Sequence, residues 1–358
     1  MKTRILAFAV AVAALIGSSP AAQAAGPVTI GTNGGPTWLV KDASLSWIRL
    51  GPYWRTLNPN PGQFVWNELD NAMVDLDNYD LKYLMILSGA PTWCGSDANG
   101  AKPCNIAAWK TYVDELTRHI AAHPSGHVIG AFEIWNEPDL RDSSTFGVGW
   151  DADFTVAPKY VDYVVEASRI IRQNLPQAKV VAGVLSGKRS DVFRNERMAR
   201  DFETTYYWDP VTATNVNASD YIDAISGHMN GGDTLSSNSA ADLYEKNVLN
   251  WFRDYNPRNR YKEQWITEFG WSSENMGEDA QRRRIKNFVI EMTGSGYGYL
   301  ADWNMTHAFI YPTEIATDKR SIYYPNTHNP PHHPKKVVTY YLAPLGFPAI
   351  QQPGAPLE

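Results

Sequence analysis

The chain has 358 residues, with 32 Lys and Arg against 38 Asp and Glu, and it carries no basic run, which argues against nucleic acid as a partner. Its 13 Trp and 19 Tyr are a heavy aromatic load for a core alone and suit a cleft that stacks on flat ligand faces. Past the first residues, no stretch is long and apolar enough to span a bilayer.

The first residues read as an export signal. Lys2 and Arg4 make a basic start, 5–16 is a short apolar core, and Ala22-Gln23-Ala24 is an A-x-A cleavage site. Removal of 1–24 is expected to leave a mature chain, 25–358, with 30 basic against 38 acidic residues and no membrane span. Its expected location is periplasmic or extracellular.

From Val28 onward, apolar runs of strand length alternate with helical patterns. Strands are expected over 28–32, 46–50, 81–87, 128–135, 179–185, 221–228, 264–268 and 307–311. Helices are expected over 66–77, 106–122, 158–175, 240–255, 279–293 and 337–345. Eight such units without a linker or a repeat predict an α/β chain folded as one (β/α)8 barrel, a TIM barrel. A doubly wound open sheet fits less well, because Gly31-Thr32-Asn33-Gly34-Gly35 lacks the spacing of a phosphate loop. The long stretches 139–157, 186–220 and 312–336 each follow a strand. In a barrel that places them on the C-terminal face, where active sites are built.

Cys94 and Cys104 are the only cysteines and lie in one loop-like stretch, so after export they are expected to form a disulfide. No histidine lies near them at metal-ligand spacing. The tract Pro330-Pro331-His332-His333-Pro334 reads as a stiff surface loop, since proline-rich backbone does not easily wrap a metal.

Two strands end in a glutamate. Phe132-Glu133-Ile134-Trp135-Asn136-Glu137-Pro138 runs out at a proline, and Gln264-Trp265-Ile266-Thr267-Glu268-Phe269-Gly270 ends beside a glycine. A carboxyl at each of two strand ends is what double displacement at a sugar carbon needs: one acid/base and one nucleophile.

With these motifs, the chain resembles the clan A glycoside hydrolases, retaining (β/α)8 enzymes with Asn-Glu-Pro after strand four and Glu after strand seven. Ile48-Arg49-Leu50, Trp54, Pro59, Pro61-Gly62, Phe64-Val65-Trp66 and Asp70 look like the strand-two region of that clan, and Ala90-Pro91-Thr92-Trp93 like its strand-three end. Within the clan, the pattern is most similar to family 39 and its bacterial members that cut exopolysaccharides. The resemblance implies Glu137 as acid/base, Glu268 as nucleophile, Arg49 as the nucleophile's hydrogen-bond donor and Asn136 as the contact to the sugar 2-hydroxyl. It also implies His228 near the nucleophile. The clan often has Tyr two residues beyond that histidine, where this chain has Asn230, and Tyr311 is one substitute for the missing hydroxyl. Arg49 could instead pair with Glu133, which shares a strand face with Glu137. Trp93, Trp135 and Trp271 are candidates for stacking on sugar rings, with core packing an equal account of Trp135.

The expected function is secreted, retaining hydrolysis of a β-linked polysaccharide or oligosaccharide. The long rim stretches favour endo cleavage, and an exopolysaccharide is one candidate substrate. Carboxylates supply both steps, so no cofactor and no metal are expected. Alternatives are an exo-acting β-xylosidase or β-glucosidase, a transglycosylase, and a non-catalytic carbohydrate-binding barrel. The last would tend to lack one carboxylate, and both are present.

Overall fold

The structure, a computed structural model, describes residues 28–96, 98, 100, 104–138, 160–185, 199–230, 257–259, 262–292, 304–311, 322, 323, 334, 335 and 338. Eight parallel strands close into a barrel. They are β1 (Thr29–Asn33), β2 (Trp47–Leu50), β3 (Lys82–Leu87), β4 (Ile129–Ile134), β5 (Lys179–Leu185), β8 (Ala224–Asn230), β9 (Glu263–Gly270) and β10 (Met305–Ile310). Neighbours in sequence are neighbours in the barrel, and β1 closes it against β10. This is the (β/α)8 fold that the alternating runs predict.

The described helices are α1 (Thr37–Asp42), α2 (Trp54–Leu57), α3 (Asn67–Asn78), α4 (Ile106–Ala122), α5 (Tyr160–Asn174), α6 (Ser273–Met276) and α7 (Glu278–Met292). The longer ones are amphipathic. On α4, Trp109, Tyr112, Val113, Leu116 and Ile120 form a buried stripe at helical spacing, and the Asn105 side chain caps its start by accepting from Ala108 N at 2.9 Å. These stripes pack on the outward strand faces. Inside the barrel, Leu84, Ala131, Val181, Ala224, Trp265 and Phe309 form a separate apolar plug, with Trp47 against it. The plug separates the polar side chains at the C-terminal mouth from a second polar group at the other end, where Glu263 accepts from Lys179, Trp265 Nε1 and Thr306.

Two expectations change. The sixth barrel strand starts at Ala224 rather than 221, because Ala218–Tyr221 is a 3-10 turn whose start is capped by Asn217 Oδ1 accepting from Ser219 N. The described part of 186–220 is not a rim loop. It is a helical stretch over 199–204 followed by a hairpin, β6 (Tyr206–Asp209) with β7 (Thr214–Asn217). The hairpin lies along the flank of α5: Tyr207 donates to Asp162 and Arg169 donates to Trp208 O at 2.6 Å. Residues 1–24, the stretch 139–157 and the helix expected over 240–255 fall outside the described residues, as does all but Val338 of the helix expected over 337–345.

Cys94 and Cys104 are joined as a disulfide, with Cα atoms 5.2 Å apart. It ties the 3-10 turn after β3 (Thr92–Cys94) to the chain entering α4, and Tyr163 of α5 donates to Cys104 O. Closing a loop of this size contributes somewhat under ~3 kcal/mol in the chain-entropy account. Replacing both cysteines by serine should therefore lower unfolding free energy by about 2–3 kcal/mol. Denaturant unfolding of parent and variant checks this, together with a mass measurement without reductant that finds no free thiol in the parent.

Candidate active site

Strict alternation along the strands does not bring the two glutamates together. Two local departures from it do. On β9, Trp265 points into the barrel plug and Ile266 packs outside, so alternation would aim Glu268 at the helices. The register shows an extra residue: Gly227 pairs with Ile266, but His228 pairs with Glu268. The same break occurs on the other side, where Ala308 pairs with Ile266 and Ile310 with Phe269. Thr267 is thus the inserted residue of a β-bulge, which turns Glu268 inward. Phe269 then faces outward and packs on Phe288 of α7, ring centroids 4.6 Å apart.

The second departure ends β4. Ala131 and Glu133 point inward, so Trp135 should follow them. Instead Trp135 takes a left-handed backbone conformation, φ 69°, and its ring packs outward near Trp109 and Tyr163. Glu137 is left-handed too, φ 46°. Non-glycine residues in this region cost of order 1 kcal/mol or more each. The surroundings hold them: Trp135 N donates to Leu87 O at 3.0 Å, and Tyr160 OH donates to Ile134 O at 2.6 Å. The twist lets the adjacent residues Asn136 and Glu137 both reach the mouth.

Arg49, on β2, lies at the centre with 2% of its side chain exposed. All five of its N–H groups have an acceptor. Nε donates to Glu133 Oε2 at 2.5 Å. Nη1 donates to Asn33 Oδ1 at 2.7 Å and to Glu268 Oε1 at 2.8 Å. Nη2 donates to Asn136 Oδ1 at 2.7 Å and faces His228 Nε2 at 3.4 Å. The two sequence readings of Arg49, a partner of Glu268 or of Glu133, therefore both hold. Burial alone would lower its pKa, but the charges and hydrogen bonds of Glu133 and Glu268 outweigh that and raise it.

His228, wholly buried, bridges the two glutamates. Its Nδ1 lies 2.8 Å from Glu137 Oε1 and 3.5 Å from Glu268 Oε2. Nδ1 faces carboxylate oxygens, so it carries hydrogen and donates. In the neutral ring, Nε2 is then the acceptor that Arg49 requires. Burial opposes the imidazolium, yet the Glu268 charge and the Glu137 hydrogen bond and charge together raise its pKa, against Arg49. The carboxylates are only slightly open to solvent, 17% for Glu137 and 13% for Glu268, and one oxygen of each lies within 4.8 Å of the other. Glu137, His228 and Glu268 are also the one group of possible metal ligands among the described residues. Arg49 already supplies positive charge 2.8 Å from Glu268, which opposes a dication there.

The other candidates separate. Trp135 and Trp271 are buried, 1% and 4% exposed, and Trp271 packs on Phe269 and Phe288. Neither offers a sugar-sized face, so both are corrected to core residues. Trp93 remains half-buried, its Nε1 donating to Asn58 O at 2.9 Å in the turn after β3. Among the described residues, Glu268 is held by Arg49 and His228, and the Tyr311 backbone N donates to Phe269 O at 2.7 Å on the strand that carries Glu268. The backbone of Asn230 ends β8. Sequence reasoning missed Asn33, whose Nδ2 donates to Thr267 O at 2.9 Å and so braces the bulge. Its one signal was a polar side chain closing an apolar strand, which before Gly34-Gly35 reads as a turn former.

No family model matches the sequence, and no curated protein is similar to it. The fold is similar to solved glycosidase barrels. A family 39 glycoside hydrolase from the gut symbiont Bacteroides cellulosilyticus WH2 superposes with TM-score 0.60 at 13% identity, over 90% of this chain and 64% of that one. A glucosidase from Croceicoccus marinus gives 0.58 at 13%, over 84% and 65%. The exo-beta-1,4-mannosidase Op5Man5 from Opitutaceae bacterium strain TAV5 gives 0.57 at 13%, over 92% and 61%. The chain thus has the (β/α)8 fold of these hydrolases and spans somewhat under two thirds of the length of each.

Two outcomes follow from the charges. Arg49→Met leaves Glu133 buried without a counter-ion and should cost about 3–5 kcal/mol in denaturant unfolding. His228 has a pKa raised above the unfolded value of about 6.5. The folded state therefore binds the proton more tightly, and this contribution is complete below about pH 6.5 and lost as pH rises through the folded value. Unfolding free energy should fall across that window, and His228→Gln should flatten the fall. An unchanged slope in the variant would show that His228 does not titrate in this way.

Proposed function

We propose that this chain is an exported retaining glycoside hydrolase acting on a β-linked polysaccharide or oligosaccharide. The observation that carries the reading is the pair of strand-end carboxyls with oxygens within 4.8 Å. Double displacement needs two carboxyl groups close enough to face one anomeric carbon, about 5–5.5 Å apart. The similarity in fold to a glucosidase, a mannosidase and a family 39 hydrolase supports the same class.

Glu268 is the nucleophile. Arg49 holds Oε1, fixing the carboxylate as it attacks the anomeric carbon. Glu137 protonates the departing oxygen, then takes a proton from the water that releases the sugar. His228 donates to Glu137 Oε1 and so fixes the acid in place for that transfer. Asn136 Oδ1 is taken by Arg49, so its NH2 group is the donor left for the 2-hydroxyl, a bond that strengthens in the transition state. Trp93 is the stacking residue.

Cutting in mid-polymer is proposed from sequence alone, from the long stretches 139–157 and 312–336 that follow strands. On defined β-linked polysaccharides, early products should then be mixed oligomers; monosaccharide alone would place the enzyme among exo-acting glycosidases.

Glu268→Ala should abolish turnover, because nothing remains to form the glycosyl-enzyme. Glu137→Ala should impair natural substrates far more than aryl glycosides with good leaving groups, and added azide should partly restore it, giving a β-glycosyl azide. A product of inverted anomeric configuration would rule the mechanism out.

A further inference from the structure

Glu133 is wholly buried inside the barrel, on β4 before the twist that delivers Asn136 and Glu137. Its Oε2 accepts from Arg49 Nε at 2.5 Å, and its Oε1 has no hydrogen-bond partner among the described residues. A half-satisfied buried carboxylate is a poor way to fill a barrel, since an apolar pair of similar volume is often as stable or more so. Stability does not account for it, whereas geometry gives it work. A guanidinium is a rigid plane, so fixing Nε on Glu133 fixes where Nη1 and Nη2 point. Nη1 then meets Glu268 at 2.8 Å and Nη2 meets Asn136 at 2.7 Å. The pairing also divides one positive charge between two carboxylates.

We propose that Glu133 is a positioning residue for Glu268: it sets the plane of Arg49 and takes up part of its charge, so that Glu268 is held in place yet stays basic enough to attack. This rests on the double-displacement reading above. Were Glu133 neutral, the whole charge of Arg49 would fall on Glu268, favouring the resting carboxylate and weakening the nucleophile.

Two variants separate charge from geometry. Glu133→Gln keeps an oxygen for Nε and removes the charge; Glu133→Asp keeps the charge and withdraws the oxygen. The readouts, on the whole chain, are a carbon-detected NMR titration of the Glu268 carboxyl and the pH profile of turnover on an activated aryl β-glycoside. In Glu133→Gln, loss of the neighbouring negative charge should move the Glu268 signal, and with it the acidic limb of kcat/KM, to lower pH. kcat should fall by up to about tenfold with KM little changed, one pK unit being worth a factor of ten in rate when it is fully felt in the transition state. In Glu133→Asp the titration should stay near the parent's while kcat falls through misorientation. A merely structural Glu133 would lower thermal stability in both variants and leave the titration and the acidic limb of Glu133→Gln where they were, and that result overturns the proposal. So does an equal shift in both variants. Labelling of parent Glu268 by a 2-deoxy-2-fluoro glycoside judges the hydrolase reading separately. With the label formed and no titration shift, the role of Glu133 alone is overturned; with neither label nor turnover, the hydrolase reading falls and takes this role with it.

Discussion

Five N–H groups of one buried arginine hold the mouth of this barrel together. Arg49 reaches Asn33 on β1, Glu133 at the end of β4, Asn136 just beyond it, His228 on β8 and Glu268 on β9. Four strands that are not all neighbours are thereby tied to one rigid plane. A lysine could not substitute, because three donors on a flexible stem cannot meet five acceptors in fixed directions. The burial that would otherwise discharge such a group is offset by the two carboxylates beside it, so the cation and the acceptors stabilise each other.

The strands meet that arginine only because two of them break their own pattern. The inserted Thr267 turns Glu268 from the helix side to the inside, and the left-handed Trp135 shifts Asn136 and Glu137 into the mouth. Each distortion carries a local cost and each is braced: Asn33 bonds the bulge at Thr267 O, and Tyr160 bonds the last carbonyl of β4. Tyr160 OH also accepts from Gly183 N at 3.1 Å, so one hydroxyl joins two strand ends. Strain kept at a functional site and supported from outside it is a familiar division of labour.

Aromatic rings are divided between these tasks. Trp47, Trp265 and Phe309 seal the lower barrel, and Trp265 stacks on His307 with centroids 3.8 Å apart. Trp54, Trp109, Trp135 and Tyr163 cement the strands to the helices outside. Among the described residues these rings are structural, and only Trp93 of the tryptophans weighed for sugar stacking keeps exposed ring.

What the sequence determined by itself is whatever depends on local periodicity and chemistry. Apolar runs of strand length set eight strands, helical spacing set the helices that cover them, and Cys94 and Cys104 were close enough to pair whatever lay between. Two glutamates at strand ends marked the site, because a barrel gathers its strand ends on one face. Which way Glu268 points was not legible. Alternation aims Glu268 outward, and the bulge that corrects it is a register fact involving β8 and β10, absent from any single strand's pattern. Trp135 read equally as core or cleft, since its outward turn depends on a backbone conformation that only packing against Trp109 and Tyr163 sustains. Asn33, 16 residues away along the chain, was invisible as a partner of Arg49, and Glu133, 84 residues away, was legible only as an alternative to Glu268, not as a partner held at the same time. Only the closed barrel brings them within hydrogen-bond reach, and only there, shielded from water, do their charges and dipoles act on one another strongly enough to matter.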